Sequence, residues 1–196
     1  MGTIDYYNHH ADEFVAGTVG ADMGAHYKKF EALLPESADV MDCGCGSGRD
    51  TLHFLERGYR VIALDGSTEL AYRASELTGI PVRVQSFDQI EDVAAFDGIW
   101  ACSSLLHVKK NELPAIFARL TRALRPSGVL YGSFKYGTFE GERNGRYFTD
   151  LTEEGLARIV AQVPGLRIRE TWVTSDVRPG RSSEHWLNEL LTKYTR

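Results

Sequence analysis

The 196-residue chain has no long apolar run, and its N-terminus lacks the features of a signal peptide. No apolar segment approaches the ~18 to 20 residues that a membrane-spanning helix needs. The first residues, MGTIDYYNHHADEF, are acidic and polar, whereas a signal peptide is basic and then apolar. We therefore expect a soluble, cytoplasmic protein with no membrane partner, whose length suits one globular domain with a complete core.

Cysteines are few, and basic tracts are absent. The odd number of thiols (Cys43, Cys45 and Cys102) and the C-x-C spacing are poor for a zinc site, so we expect reduced thiols and no metal. The absence of a basic stripe argues against a nucleic-acid partner. Residues 1–56 carry ten acids against three bases within a net charge of −5. That surplus fits either a cationic ligand or a solvated acidic surface.

Short apolar segments alternate with helical patterns over the first two thirds of the chain. The apolar segments are residues 39–42, 60–64, 82–84, 98–101 and 128–134, and the helical patterns cover residues 49–56, 69–77 and 113–124. Strands that alternate with helices need crossover connections, which produce a mainly parallel sheet covered on both faces. We therefore predict an α/β, doubly wound fold.

The last third of the chain has a different pattern. Residues 136–150 are rich in glycine and charge and predict a long, mobile loop, and Thr152-Glu153-Glu154 predicts the start of a helix. Residues 166–174 alternate like a strand, while residues 186–191 fit a final strand or a short helix. Strands joined without a helical crossover are normally antiparallel neighbours, so we expect an antiparallel edge pair to close the sheet.

The segment Val40-Met41-Asp42-Cys43-Gly44-Cys45-Gly46-Ser47-Gly48-Arg49 predicts a strand, a glycine-rich turn and a helix. Glycines let a ligand approach the backbone closely, and the helix N-terminus presents free N–H groups to an anionic part of that ligand. A dinucleotide site would need G-x-G-x-x-G, whereas these glycines form G-x-G-x-G. Strand, acid, glycines and helix together indicate a nucleotide-type cofactor loop.

Two later strand ends add candidate cofactor residues. Asp65 follows the second strand, where a carboxylate can accept both hydroxyls of a ribose, although an acid here can also simply cap a turn. Phe87 and Asp88 follow the third strand and offer an aromatic face for an adenine and an acceptor for its amino group; Phe87 fits a core position equally well.

With these motifs in order, residues 38–135 resemble the Rossmann-like (class I) S-adenosylmethionine-dependent methyltransferases. The resemblance further rests on Phe96-Asp97-Gly98-Ile99-Trp100-Ala101-Cys102 as the fourth strand and on Leu124-Arg125-Pro126-Ser127-Gly128-Val129-Leu130 as the turn into the fifth. It implies a seven-stranded sheet with an antiparallel last strand. The G-C-G-x-G-R form, Tyr6-Tyr7 and the chain length are similar to the small bacterial methyltransferases related to tellurite resistance.

The resemblance implies a single methyltransferase domain over residues 1–196. Its parts are an N-terminal helical lid (1–37), a cofactor-binding core (38–135) and an acceptor-side region with a loop, a helix and antiparallel edge strands (136–196). The implied cofactor is S-adenosylmethionine, with S-adenosylhomocysteine as product. The implied cofactor residues are Tyr7, Asp42, Cys43, Gly44, Cys45, Gly46, Arg49, Asp65, Gly66, Ser67, Phe87, Asp88, Ala101, Cys102 and Ser103.

Two of these residues have alternative roles. Arg49 can pair with the carboxylate of the cofactor or with Asp42 or Asp50, and Tyr6 or Tyr7 can belong to the lid or to the core of the first helix. Catalytic residues are unknown at this stage. The candidates on the acceptor side are Ser103, His107, Tyr136, Arg146, Tyr147, Arg178 and Arg181. His107 would lie at the carboxyl edge of the sheet, where such folds bind ligands.

We therefore expect methyl transfer to a small soluble acceptor, either an anion or an oxyanion of tellurium or selenium. A sulfonium is already an activated electrophile, so the protein mainly needs to align donor and acceptor and, for a protonated acceptor, to provide a base. A nicotinamide-dependent oxidoreductase and a non-catalytic cofactor-binding module are the alternatives. The sequence fixes neither the methylated atom nor the oligomeric state.

Overall fold

A computed structural model describes residues 2–178 and 180–194. The helices are α1 (Thr3–His9), α2 (Ala11–Thr18), α3 (Gly24–Glu31), α4 (Arg49–Glu56), α5 (Thr68–Thr78), α6 (Leu113–Ala123) and α7 (Glu153–Val160). The strands are β1 (Asp39–Cys43), β2 (Arg60–Asp65), β3 (Val82–Val84), β4 (Phe96–Ala101), β5 (Leu124–Lys135), β6 (Glu140–Arg143), β7 (Arg146–Thr149), β8 (Leu166–Ser175) and β9 (His185–Lys193). Short 3-10 turns at Phe87–Gln89 and Leu105–His107 follow β3 and β4.

Seven of these strands form one twisted sheet in the order β3-β2-β1-β4-β5-β9-β8. Strands β1 to β5 pair in parallel, and β9 runs antiparallel between β5 and β8. This confirms the predicted α/β fold with its antiparallel closing pair. It also settles residues 186–191, which belong to strand β9 and not to a helix.

Two apolar layers cover the sheet. On one face α6 and α7 bury Phe117, Leu120 and Leu156 against strand residues such as Ile99 and Leu130. On the other face α3 and α4 pack an aromatic cluster, which contains Tyr27, Phe30, Phe54, Trp100 and Tyr131. The central strands are buried on both faces, as expected for a parallel sheet between helices.

Capping and turn signals fix several boundaries. The Thr152 hydroxyl accepts a hydrogen bond from the Gly155 N–H (3.2 Å), which confirms the predicted start of α7.

The prediction of a loop over residues 136–150 is wrong, because β6 and β7 form an antiparallel hairpin there. The turn residues Asn144 and Gly145 both have positive φ (49° and 77°), which is the Asn-Gly hairpin signature.

No helix within residues 2–178 and 180–194 combines the length and the apolar composition needed to cross a bilayer. The same ranges contain no group of three or more side chains arranged to hold a metal ion.

Candidate active site

The glycine-rich turn after β1 is a tight backbone cradle. Gly44, Gly46 and Gly48 have φ values of 82°, 54° and 80°, a region that favours glycine. A Cβ on Gly44 would lie 2.4 Å from the Cβ of Ser104, so no other residue fits without movement. The Gly44 and Cys45 N–H groups donate to the Leu64 carbonyl (2.9 and 3.0 Å), which fixes the turn to the end of β2.

Asp65, the last residue of β2, completes the turn. Its carboxylate oxygens accept hydrogen bonds from the Gly46 N–H (2.9 Å) and the Ser67 N–H (2.8 Å). Burial raises the pKa of Asp65, and these two hydrogen bonds oppose the rise. Each oxygen has a second lone pair, so the carboxylate can still accept from a ligand hydroxyl.

A cavity of about 230 Å³ lies at the carboxyl ends of β1, β2, β4 and β5. The sheet order reverses between β1 and β4, and this crevice is where open α/β sheets bind ligands. Sequence-predicted residues on its wall are Tyr7, Gly44, Cys45, Gly46, Arg49, Asp65, Gly66, Phe87, Cys102, Ser103, His107, Arg146, Arg178 and Arg181.

Seven proposed site residues do not line the cavity: Asp42, Cys43, Ser67, Asp88, Ala101, Tyr136 and Tyr147. Asp42 is fully buried and accepts from the Thr51 hydroxyl (2.6 Å), and burial raises its pKa. Ser67 caps α5. The hydroxyls of Tyr136 and Tyr147 instead donate to Glu153 (3.0 Å) and Glu140 (2.8 Å).

Arg49 pairs with Asp50. Its guanidinium donates to both oxygens of that carboxylate, at 2.6 and 2.8 Å. Asp50 also accepts from Trp100 Nε1 (2.8 Å) and from the Tyr27 hydroxyl. Although burial alone would raise the pKa of Asp50, the adjacent Arg49 and these hydrogen bonds lower it. A buried, ionised network therefore supports the first turn of α4, directly behind the glycine cradle.

His107, Tyr7 and Arg146 come from three separate segments and meet at the cavity. His107 Nδ1 lies 2.6 Å from the Tyr147 carbonyl oxygen, which can only accept, so Nδ1 carries the proton. His107 Nε2 then accepts from the Tyr7 hydroxyl (2.8 Å). Burial, with a contribution from the nearby Arg146, lowers the pKa of His107 to about 4, so the imidazole is neutral at physiological pH.

Helix α1 covers the cavity through residues that the sequence did not single out. The Thr3 hydroxyl accepts from the Tyr147 N–H (2.9 Å), and the Asn8 side-chain oxygen accepts from the Ser67 hydroxyl (2.7 Å). Ile4 packs so closely on Gly66 that a Cβ there would lie 2.6 Å from its Cδ1. No local motif marks these positions, because each contact joins the N-terminus to a distant segment.

The cavity wall formed by β5 and β9 also consists of residues that the sequence motifs did not single out. The Tyr131 hydroxyl donates to the Asn188 side-chain oxygen (2.8 Å), and Ser133 pairs in register with Asn188. Tyr131, Ser133 and Asn188 line the cavity together with His26 from α3. Because side chains alternate along a strand, Tyr131 and Ser133 share one face of β5. Their proximity to Asn188 follows only from the pairing of β5 with β9.

Comparison with known proteins indicates the class of domain to which this fold is similar. Residues 40–128 match a family model described as a methyltransferase domain. YqeM of Bacillus subtilis, which carries a provisional methyltransferase name, is 30% identical over 119 residues, or 55% of this chain and 48% of that protein. The trans-aconitate 2-methyltransferase of Deinococcus radiodurans is 32% identical over 107 residues, which cover 53% of this chain and 41% of that protein. The chain thus spans about half the length of these curated relatives.

A solved structure extends the similarity to nearly the whole chain. The Burkholderia thailandensis 1,6-didemethyltoxoflavin-N1-methyltransferase, determined with bound 1,6-didemethyltoxoflavin and S-adenosylhomocysteine, is 25% identical. It superposes with a TM-score of 0.76 over 98% of this chain and 85% of that chain. The fold is therefore the Rossmann-like methyltransferase fold, and the matches together support an S-adenosylmethionine-dependent methyltransferase. The resemblance to tellurite-resistance proteins is not confirmed by them and stays a prediction.

Proposed function

We propose that this chain transfers a methyl group from S-adenosylmethionine to a small anionic acceptor. The observation that carries the proposal is one continuous cavity, which joins the glycine cradle and Asp65 to a wall of polar and cationic side chains. The Burkholderia relative likewise binds a small molecule together with S-adenosylhomocysteine.

The residues of the cradle fit the cofactor. The glycines leave room for a ligand against the backbone, Asp65 keeps lone pairs for ribose hydroxyls, and Phe87 offers a ring face for the adenine. When bound, the cofactor supplies a methyl group on a positively charged sulfur. The chain contributes by orienting the acceptor toward that group and by covering the cavity with α1, because alignment is the main requirement of an in-line transfer.

The remaining wall favours an anionic acceptor. Lys135, Arg146, Arg178 and Arg181 line the cavity; Lys135, Arg178 and Arg181 are paired with Glu184 or Asp176, whereas Arg146 has no such pair within the described residues. Guanidinium groups bind carboxylates and other oxyanions through paired N–H donors. An oxyanion of tellurium or selenium belongs to the same charge class. We propose α1 to α3 as the lid of the site, with residues 136–194 as its acceptor side.

Replacement of Asp65 tests the cofactor assignment. Asp65→Ala is expected to weaken S-adenosylhomocysteine binding by about 1.5–3 kcal/mol, or roughly 10- to 150-fold, because hydrogen bonds to a charged group are lost. Isothermal titration calorimetry measures this effect. Glu76→Ala is the matched control, since Glu76 is exposed on α5 and lies outside the cavity.

Asp65 also holds the backbone of the turn, so thermal unfolding must show that Asp65→Ala is still folded; Asp65→Asn, which keeps an acceptor oxygen, should bind with intermediate affinity. Unchanged affinity in both variants would remove Asp65 from the site. Wild-type protein that binds NADH but not S-adenosylhomocysteine would instead favour a nicotinamide-dependent oxidoreductase.

A methyl-transfer screen tests the acceptor class. S-adenosylmethionine labelled in its methyl group is incubated with the protein and with small carboxylates, phenols, thiols, tellurite, selenite or cationic amines, and transferred label is counted. Transfer to anionic compounds, and none to cationic amines, is the expected result. Tight cofactor binding without any transfer would favour a non-catalytic cofactor-binding module.

A further inference from the structure

Arg146 differs from the other cations on the cavity wall. The others each have a carboxylate neighbour: Arg49 with Asp50, Arg178 with Asp176, and Lys135 and Arg181 with Glu184. Among residues 2–178 and 180–194, no carboxylate oxygen lies within 4.0 Å of the Arg146 guanidinium. Arg146 therefore leaves a positive charge uncompensated at the cavity wall.

Aromatic rings hold the Arg146 guanidinium in place. Its central carbon lies 4.6 Å from the centre of the Tyr6 ring, 5.2 Å from that of Phe148 and 5.7 Å from that of Tyr7. Arg146 Nε is buried without a hydrogen-bond partner, and Nη1 makes only a long contact of 3.5 Å to the Tyr7 hydroxyl. A guanidinium has five N–H donors, and within the described residues that of Arg146 makes one long hydrogen bond, so it keeps donors for a ligand.

The titratable groups around Arg146 do not neutralise it. His107 is a neutral imidazole with its proton on Nδ1, and the hydroxyl proton of Tyr7 is donated to His107 Nε2. The Tyr7 oxygen therefore faces the guanidinium with a lone pair. Asp65 and Arg178 also act electrostatically on Tyr7, but Asp65 belongs to the glycine cradle and Arg178 is bound by Asp176.

We propose that Arg146 is the anion-binding corner of the acceptor site, and that the acceptor binds there as the conjugate base of an O–H or N–H acid. This inference rests on the proposed function and names its substrate class. Tyr7 is a positioning residue, because its hydroxyl oxygen faces Nη1 of Arg146, and His107 acts through Tyr7 by accepting the hydrogen bond of that hydroxyl.

The proposed methyl transfer conserves atoms, electrons and charge. The acceptor releases its proton to the buffer when it binds against Arg146. The lone pair of the ionised oxygen or nitrogen then forms the bond to the methyl carbon, the carbon–sulfur bond breaks, and its electron pair stays on the sulfur. One negative and one positive charge disappear, so both products are neutral at the reacting atoms and the methylated acceptor loses its attraction to Arg146.

A spectroscopic probe can detect this corner without knowledge of the natural acceptor. 4-Nitrophenol absorbs visible light strongly only when it is ionised. An opposite charge within ~4–6 Å lowers the pKa of an acid by roughly 1–3 units. In wild-type protein saturated with S-adenosylhomocysteine, bound 4-nitrophenol is expected to ionise about 1–3 pH units below the free compound.

Variants of Arg146 decide whether this residue is responsible. Arg146→Gln should abolish the lowered ionisation and weaken 4-nitrophenolate binding at least about tenfold, as expected when a charge-assisted hydrogen bond is lost. Arg146→Lys, which keeps the charge, should retain part of both effects. Arg169→Gln removes an exposed arginine on β8 and should change neither. Melting temperature and S-adenosylhomocysteine affinity, measured in each sample, report folding.

The outcomes separate this assignment from the proposed function. If S-adenosylhomocysteine does not bind wild-type protein, the proposed function fails. If it binds but 4-nitrophenol does not bind or ionises at its free pH, only the Arg146 assignment fails. An Arg146→Gln variant that loses S-adenosylhomocysteine affinity and keeps the probe response would show that Arg146 holds the carboxylate of the cofactor, which also overturns the assignment.

Discussion

Asp50→Ala is expected to lower the free energy of unfolding by about 3–5 kcal/mol, because it leaves the Arg49 guanidinium without its buried counter-ion. The same change removes the hydrogen-bond acceptor of Tyr27 and of Trp100, both buried in the aromatic cluster beside α4. Urea unfolding followed by tryptophan fluorescence measures the loss.

Two comparisons make this result specific. Asp12→Ala removes the carboxylate of an exposed ion pair with Arg73 and should cost less than about 1 kcal/mol. Asp50→Asn preserves shape but not charge and should fall between the two. A loss for Asp50→Ala no larger than that for Asp12→Ala would contradict the role given to the network.

Glu189 on β9 is expected to make stability fall as pH rises from about 4.5 to about 8. Its side chain is fully buried, and neither carboxylate oxygen has a hydrogen-bond partner within the described residues. Burial raises its pKa to about 8, from the ordinary value of 4.5. The folded chain therefore keeps a proton that the unfolded chain releases between these two values, so the contribution of Glu189 to stability is fully present below pH 4.5 and is lost toward pH 8.

The size of this effect follows from proton linkage. Relative to Glu189→Gln, the wild type should lose up to about 1.4 kcal/mol of unfolding free energy per pH unit between roughly pH 5 and 8. Urea unfolding at several pH values measures both proteins, with Glu76→Gln, an exposed change on α5, as control. Parallel pH profiles for wild type and Glu189→Gln would refute the prediction. Glu189→Leu should be more stable than wild type at pH 8, because apolar replacements of buried charges are often stabilising.

Local signals were sufficient for most of the fold. Alternating strands and helices, with Gly44 to Gly48 at the first turn, predicted the parallel sheet and the crevice. The composition of residues 136–150, rich in glycine and charge, is typical of a loop, and the hairpin of β6 and β7 is marked locally only by the Asn144-Gly145 turn. Glu189 was overlooked because a sequence pattern does not show that an acid in an apolar strand lacks a partner.

The site was predictable where one segment builds it and not where several segments meet. Gly44, Gly46 and Asp65 lie at consecutive strand ends and could be placed from the chain alone. The motif predicts Asp42 in the cofactor site, but its carboxylate accepts a hydrogen bond from the Thr51 hydroxyl and does not line the cavity. Tyr147 was chosen for its phenol, whereas its backbone carbonyl fixes the tautomer of His107. Such contacts depend on tertiary packing, which cannot be read from the spacing of residues along the chain.

The hairpin of β6 and β7 contributes Arg146 to the cavity but pairs with no strand of the seven-stranded sheet. A single bridge between Tyr136 and Leu151 closes its base. The sheet register does not depend on this hairpin, but residues 146–148 anchor α1 and His107 through Tyr147 and pack Phe148 into the core. Libraries confined to residues 138–144 would therefore vary the rim of the cavity while leaving those anchoring contacts in place.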